Sequence, residues 1–287
     1  PNIWSYAIAL AFFGAVMGAT DVSMNTNAVI VEKFAGRRLL SGMHAFWSIG
    51  CFASAGLFSV LASSSLNVTL IATLHCAIVL ALLAVFGRHL LDYKSPGGEK
   101  AFAIPRGIVI VLGILACISF LVEGAVMDWS GVLLTEVKNM DIALAGTGYA
   151  IFSVAMLIMR LLGDKTVQFL GEQKAVIGGS IVTAAGFALA VVLDNLYLNA
   201  FAFILIGLGC ANIVPVFYSL LKYQKDMPIS AAVTSVTSLG YTGVILGPAL
   251  LGFVAHGINI SAVFELVALL LVIEAGIAKY VFCKLKM

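Results

Sequence analysis

The chain has 287 residues, of which 62% are hydrophobic and only 10% charged, and its mean hydropathy is +1.10. Those figures exclude an ordinary soluble domain. A net charge of +2, with the basic residues scattered among polar breaks rather than clustered, excludes a nucleic-acid partner.

Apolar runs recur along the whole chain. Crossing about 30 Å of hydrocarbon takes roughly 20 helical residues. Runs of that length fall near residues 4–31, 42–63, 66–87, 105–128, 141–162, 173–193, 197–221, 230–254 and 260–283. Lipid offers no partner for unpaired backbone groups, so all nine are expected to be helices, giving an all-α integral membrane protein. The first run lacks a basic flank and is too long for a signal-peptide core, so it reads as a mature helix. With the breaks assigned to alternate sides of the membrane, fifteen of the sixteen Lys and Arg residues fall on one side, and only Lys138 on the other. Short Lys/Arg-rich connectors are retained in the cytoplasm, which predicts a multi-pass protein with its C-terminus inside.

The polar residues within the runs are the candidates for chemistry. Asp21 lies about 14 Å from the end of the first span, and a carboxylate facing lipid at that depth costs several kcal/mol. It is expected to face a cavity together with Asn25, one turn on; a helix–helix hydrogen bond is the structural alternative. His44 opens the second span with Trp47 and Ser48 on nearby faces, placing the group at the mouth on the basic side. His75 reads as a packing residue. Residues 88–104, with Pro96-Gly97-Gly98, read as a flexible linker between a three-span segment, 1–87, and a six-span bundle, 105–287.

Glu123 is expected near the outer end of the fourth span as a proton-loading carboxylate, with Asp128 closing that span beside an interfacial Trp129. On this reading Asp21 and Glu123 lie in opposite leaflets. Arg160 and Asp164, four residues apart, are expected to pair at a helix end, with Gly163 permitting a tight turn and Lys165 following. In the seventh span Asn212 precedes Pro215, which frees a carbonyl and bends the helix. Gly240, Gly243 and Gly247-Pro248 make the eighth span slender, suited to sliding or to close static packing. Glu265 and Glu274 lie on opposite faces of the last span, where structural pairing is the favoured reading.

Several stretches together resemble the major facilitator superfamily, in particular its bacterial inner-membrane branch near the fucose-permease-like proteins. They are Asp21…Met24-Asn25…Glu32, His44…Trp47-Ser48-Ile49-Gly50, Glu123-Gly124-Ala125 with Asp128-Trp129-Ser130, Arg160-Leu-Leu-Gly163-Asp164-Lys165, and Gly240-Tyr241-Thr242-Gly243…Gly247-Pro248. The resemblance implies a twelve-helix fold of which this sequence matches helices four to twelve, an N-terminally incomplete bundle. It implies a secondary transporter working by alternating access, a monomer in the inner membrane, with a sugar or other polar solute moved by proton symport. Asp21, Asn25, His44, Trp47, Glu123, Asp128, Asn212 and Tyr241 become the substrate or coupling candidates. Arg160, Gly163, Asp164 and Lys165 become a cytoplasmic gate, and Pro215, Gly247 and Pro248 points of helix flexing. Efflux of amphipathic compounds and a non-transporting truncated membrane protein are the alternatives. No H-E-x-x-H, G-x-S-x-G, phosphate loop or Cys-x-x-Cys spacing is present, so neither enzyme, cofactor nor metal is expected.

Overall fold

The computed structural model describes residues 2–64, 66–91 and 104–285. Most of the 88–104 linker, including Pro96-Gly97-Gly98, therefore lies outside the described residues. Within them the chain is all-helical: α1 (Ile3–Ala35), α2 (Leu40–Ser63), α3 (Val68–Phe86), α4 (Ile108–Val132), α5 (Thr147–Leu170), α6 (Glu172–Val192), α7 (Leu196–Cys210), α8 (Ile213–Leu220), α9 (Ile229–Gly257) and α10 (Ile260–Leu285). Eight helical stretches are long and apolar enough to cross a membrane by length and composition. The 24-residue α2 stands beside them as a ninth of spanning length. Exposed apolar side chains such as Trp4, Phe12, Val79 and Phe253 coat the outer faces, as a lipid-facing surface requires.

Three helix boundaries depart from the sequence expectation. α4 does not stop at Asp128; it runs on to Val132 and continues as a π-helical turn, Leu133–Val137. That extension moves Glu123 from the rim to the middle of the span. α5 runs eight residues past the expected end at 162, so Arg160, Gly163, Asp164 and Lys165 are helical and not in a connector. Arg160 consequently leaves the set of connector cations. The seventh span is broken into α7 and α8 at Ala211 and Asn212.

The break follows from Pro215. A proline cannot donate to the carbonyl four residues earlier. That carbonyl belongs to Ala211, and here the Arg160 guanidinium takes it, Nε to O at 3.3 Å. Beyond the break α8 is buried along its whole length.

α4 packs along α9, α6 along α7 and α10, and α5 along α7. Gly243 shows how close the first pair lies: a Cβ there would meet the Cys117 carbonyl of α4. The small residues of α9 thus serve static packing against α4 on that face. Phe187 of α6 and Phe264 of α10, with ring centroids 5.5 Å apart, fill the layer behind. His75 sets its Nδ1 2.9 Å from the Ile71 carbonyl and its Nε2 3.2 Å from the Ser54 carbonyl, with the one that carries the proton donating, so it packs α3 against α2.

Candidate functional site

One end of the bundle collects the basic connectors. There α2 begins with unpaired backbone N–H groups, as any helix does. Two carboxylates from other helices satisfy them. Glu32 at the end of α1 accepts from the N–H groups of Leu39 and Leu40 at 2.9 and 3.1 Å. Asp164 of α5 accepts from those of Ser41 and Gly42 at 3.1 and 3.0 Å. A helix N-terminus favours such negative charge. Glu32 also accepts from Ser219 Oγ at the end of α8 and from Lys222 Nζ, both at 2.7 Å. Arg38 closes on Glu172 at 2.6 Å. These contacts tie α1 and α2 to α5, α6 and α8. At the opposite end Lys138 joins Asp194 at 2.7 Å, which places the one cation of the other side where the alternation puts it.

Arg160 does not pair with Asp164. The two side chains leave α5 toward different neighbours, Asp164 to the start of α2 and Arg160 inward. Gly163 makes no tight turn; it is a mid-helix glycine against which Asn212 Oδ1 and Ser41 press where a Cβ would stand. Asn212 therefore points at α5, is buried, and does not line the cavity described next. Lys165 is exposed.

Above this end lies a cavity of about 530 Å³ between α1 and α2 on one side and α4, α5, α8 and α9 on the other. It reaches from Tyr218 and His44, stacked at 6.0 Å, up to Tyr149, Ala55 and Val244. Its polar wall has two parts. In the first, Asp21 Oδ1 accepts from Asn25 Nδ2 at 3.0 Å and Oδ2 from the Tyr241 hydroxyl at 3.1 Å, so α1 meets α9. In the second, buried Arg160 donates Nη2 to Glu123 Oε1 at 3.2 Å and Nη1 to Ser48 Oγ at 3.4 Å, besides the Ala211 carbonyl. Asp21 and Glu123 thus line one cavity, contrary to the two-leaflet expectation. Asp21, Asn25, His44, Trp47, Glu123 and Tyr241 are brought together. Asp128 is not: it is exposed, five residues and so about 140° round the helix from Glu123.

Sequence reasoning missed the roles of Ser48, Tyr218 and Glu32. Glu32 had a readable signal, a carboxylate just before a helix start rich in unpaired donors. Glu274 is fully buried among α4, α6 and α10 and accepts from Ser119 Oγ at 2.6 Å and Ser180 Oγ at 3.1 Å, whereas Glu265 is exposed. Among the described residues no three His, Cys, Asp or Glu side chains converge as metal ligands.

No protein-family model matches the sequence. An MFS-type transporter from Yersinia pestis is 41% identical over 276 residues, 96% of this chain and 72% of its own length. A transporter from Sinorhizobium fredii is 31% identical over 285 residues, 97% of this chain and 74% of its own length. The membrane protein MosC of Rhizobium meliloti is 27% identical over 278 residues, 67% of its length. Among solved structures, the human organic anion transporter MFSD10 superposes with a TM-score of 0.71 at 13% identity, covering 89% of this chain and 66% of that one. The Escherichia coli fucose:proton symporter FucP superposes at 0.62 and 14%, covering 84% and 68%. Both are similar in fold alone.

Proposed function

This chain belongs to the major facilitator superfamily, a family of transporters and not of enzymes, and from that premise we propose that it moves a small polar solute, a sugar or similar metabolite, across the inner membrane by proton-coupled alternating access. The observation that supports this most is the cavity itself, with two carboxylates and one buried arginine facing each other across the meeting of α1–α2 with α4–α9. Its floor is tied shut at the basic end, which on the Lys/Arg distribution is the cytoplasmic one.

Solute binds between Asp21, Asn25, Trp47 and Tyr241. Glu123 carries the coupling proton: ionised it pairs with Arg160, and protonated it releases that pair and loosens the wall between α4, α5 and the α7–α8 break. α8 links the cavity to the closed end, because it offers Val214 and Tyr218 to the one and Ser219 to Glu32 of the other. The segments 1–87 and 105–287, joined through 88–104, then rock as two bodies and expose the cavity to the cytoplasm. Asp164, Glu32 and Arg38 supply the contacts that open, and the protein works as a monomer with its C-terminus inside. A second reading, export of amphipathic compounds, is favoured by the Trp47, Phe52, Phe120, Met24 and Met127 side chains on the same walls.

Reconstitution into proteoliposomes tests the proposal. Polar metabolites and amphipathic dyes are offered with a pH gradient of either direction. Accumulation of a polar solute only under a gradient, lost in Glu123→Gln, is the expected result. Gradient-driven accumulation by Glu123→Gln equal to that of wild type removes the coupling role.

A further inference from the structure

The two polar parts of the cavity wall differ in what they leave unanswered. Every nitrogen of Arg160 is engaged, by the Ala211 carbonyl, Ser48 and Glu123, and its charge is balanced by Glu123. Asp21 accepts only from neutral donors, Asn25 and Tyr241, and among the described residues no Lys, Arg or His nitrogen stands within ion-pair distance of it. Around it stand apolar and aromatic groups. Phe120 meets the Tyr241 ring edge-on at 5.8 Å, and Trp47 and Met24 line the same space.

We propose that the transported solute carries a protonated amine and that Asp21 is its seat, an inference that rests on the transporter reading above and narrows its polar solute from a neutral sugar to an amine. An ionised carboxylate at mid-membrane depth requires a counter-charge, and the aromatic faces beside it favour a cation. An anionic solute would have to take Arg160 from Glu123 and leave that carboxylate unpaired. A neutral sugar would find the Asn25 and Tyr241 donors already spent on Asp21 and would bring no charge of its own to pair with that carboxylate.

Without an amine, a proton is the counter-charge left to the seat, since no cationic side chain stands beside it among the described residues. Binding is then an exchange: the ammonium group enters, Asp21 gives up its proton to water, and an ammonium–carboxylate pair replaces the carboxylic acid, with charge conserved. Amine and proton exclude each other at Asp21, so the proton given up there moves against the amine, separately from the proton that Glu123 carries. The other titratable or charged groups facing the cavity are His44 and Cys51 of α2, Glu123 of α4, Tyr149 and Arg160 of α5, Tyr218 of α8 and Tyr241 of α9. Of these Glu123 and Arg160 are already paired with each other.

The test uses the purified protein in proteoliposomes and a panel of small primary amines, neutral sugars and polyols, and carboxylates, with glucosamine, glucose and gluconate at its core. Transport is measured under pH gradients of both directions, and proton release on binding in weakly buffered detergent solution. The expected result is that the transported solutes are amines and that each releases a proton as it binds. Asp21→Asn then weakens amine binding by about tenfold or more, and Asp21→Glu restores it; thermal unfolding of both variants reports whether they fold. Transport confined to neutral or anionic solutes, or amine binding by a folded Asp21→Asn equal to wild type, overturns the proposal. If no solute of any class moves under any gradient, the transporter reading fails first, and with it this one.

Discussion

The basic end and the cavity are built from the same residue types to opposite ends. At the basic end Glu32 takes four donors, two of them the backbone N–H groups of Leu39 and Leu40 where α2 begins, and Asp164 takes the next two. In the cavity Asp21 has two neutral donors and no cation among the described residues, and half-buried Glu123 shares one arginine. Charge-assisted hydrogen bonds contribute about 1.5–3 kcal/mol each where both partners are held. A saturated cluster therefore holds a closed state, while a partly answered one is free to take a ligand. On the proposed reading, that contrast makes one end the seal and the other the site.

The largest expected effect breaks the cavity side. Arg160→Leu strands Glu123 and leaves the Ala211 carbonyl without its donor. Removing one partner of a fully buried pair costs about 3–5 kcal/mol; Glu123 is only half-buried, so a smaller but clear fall in thermal stability and no gradient-driven transport are expected. A variant that melts and transports like wild type would show that the pair is idle.

Gly163→Ala breaks the seal from within. Its methyl group enters the space held by Asn212 Oδ1 and Ser41, and overpacking of this kind costs about 1–3 kcal/mol. Spin labels at Lys33 and Lys174, both exposed at the basic end, are expected to move apart in a double electron–electron resonance measurement. An unchanged distance distribution would mean that the seal tolerates the methyl group.

Glu274→Gln sharpens the comparison by touching a buried carboxylate outside both regions. Glutamine keeps an acceptor for Ser119 or Ser180, so a loss of about 1 kcal/mol in stability with transport unchanged is expected. Loss of proton coupling in this variant would extend the mechanism into the packing between α4, α6 and α10. The smallest effect belongs to Lys165→Ala. An exposed cation of this kind alters stability by no more than about 0.5 kcal/mol, and its transport is expected to match wild type.

Spans, and the separation of connectors between the two ends of the bundle, were legible because both are one-dimensional: an apolar run has a length and successive connectors alternate. Lys138 shows it, since it lies apart from the other connector cations and pairs at the opposite end of the bundle. Helix ends were less legible. Arg160 and Asp164 are charged, and charge near the end of an apolar run reads as a loop, yet α5 continues to Leu170 because buried partners answer both. The same error moved Glu123 to the rim. Which residue answers another is a three-dimensional fact, and no spacing announces that Arg160 meets Glu123 at 37 positions' distance or that Asp164 caps a helix 122 and 123 positions away. Pro215 lies between the two cases. Its sequence position implies a freed carbonyl, but only the fold supplies the arginine that takes it.

Cys51 lines the cavity and lies on α2 beyond the seal, so it reports directly on whether this cavity opens away from the basic end. In a variant with the other four cysteines replaced by alanine, a membrane-impermeant thiol reagent is applied to one face and then to the other. Labelling from the face opposite the basic connectors, with protection from the basic face, is the predicted result. Labelling from the basic face alone, or from neither, would contradict it.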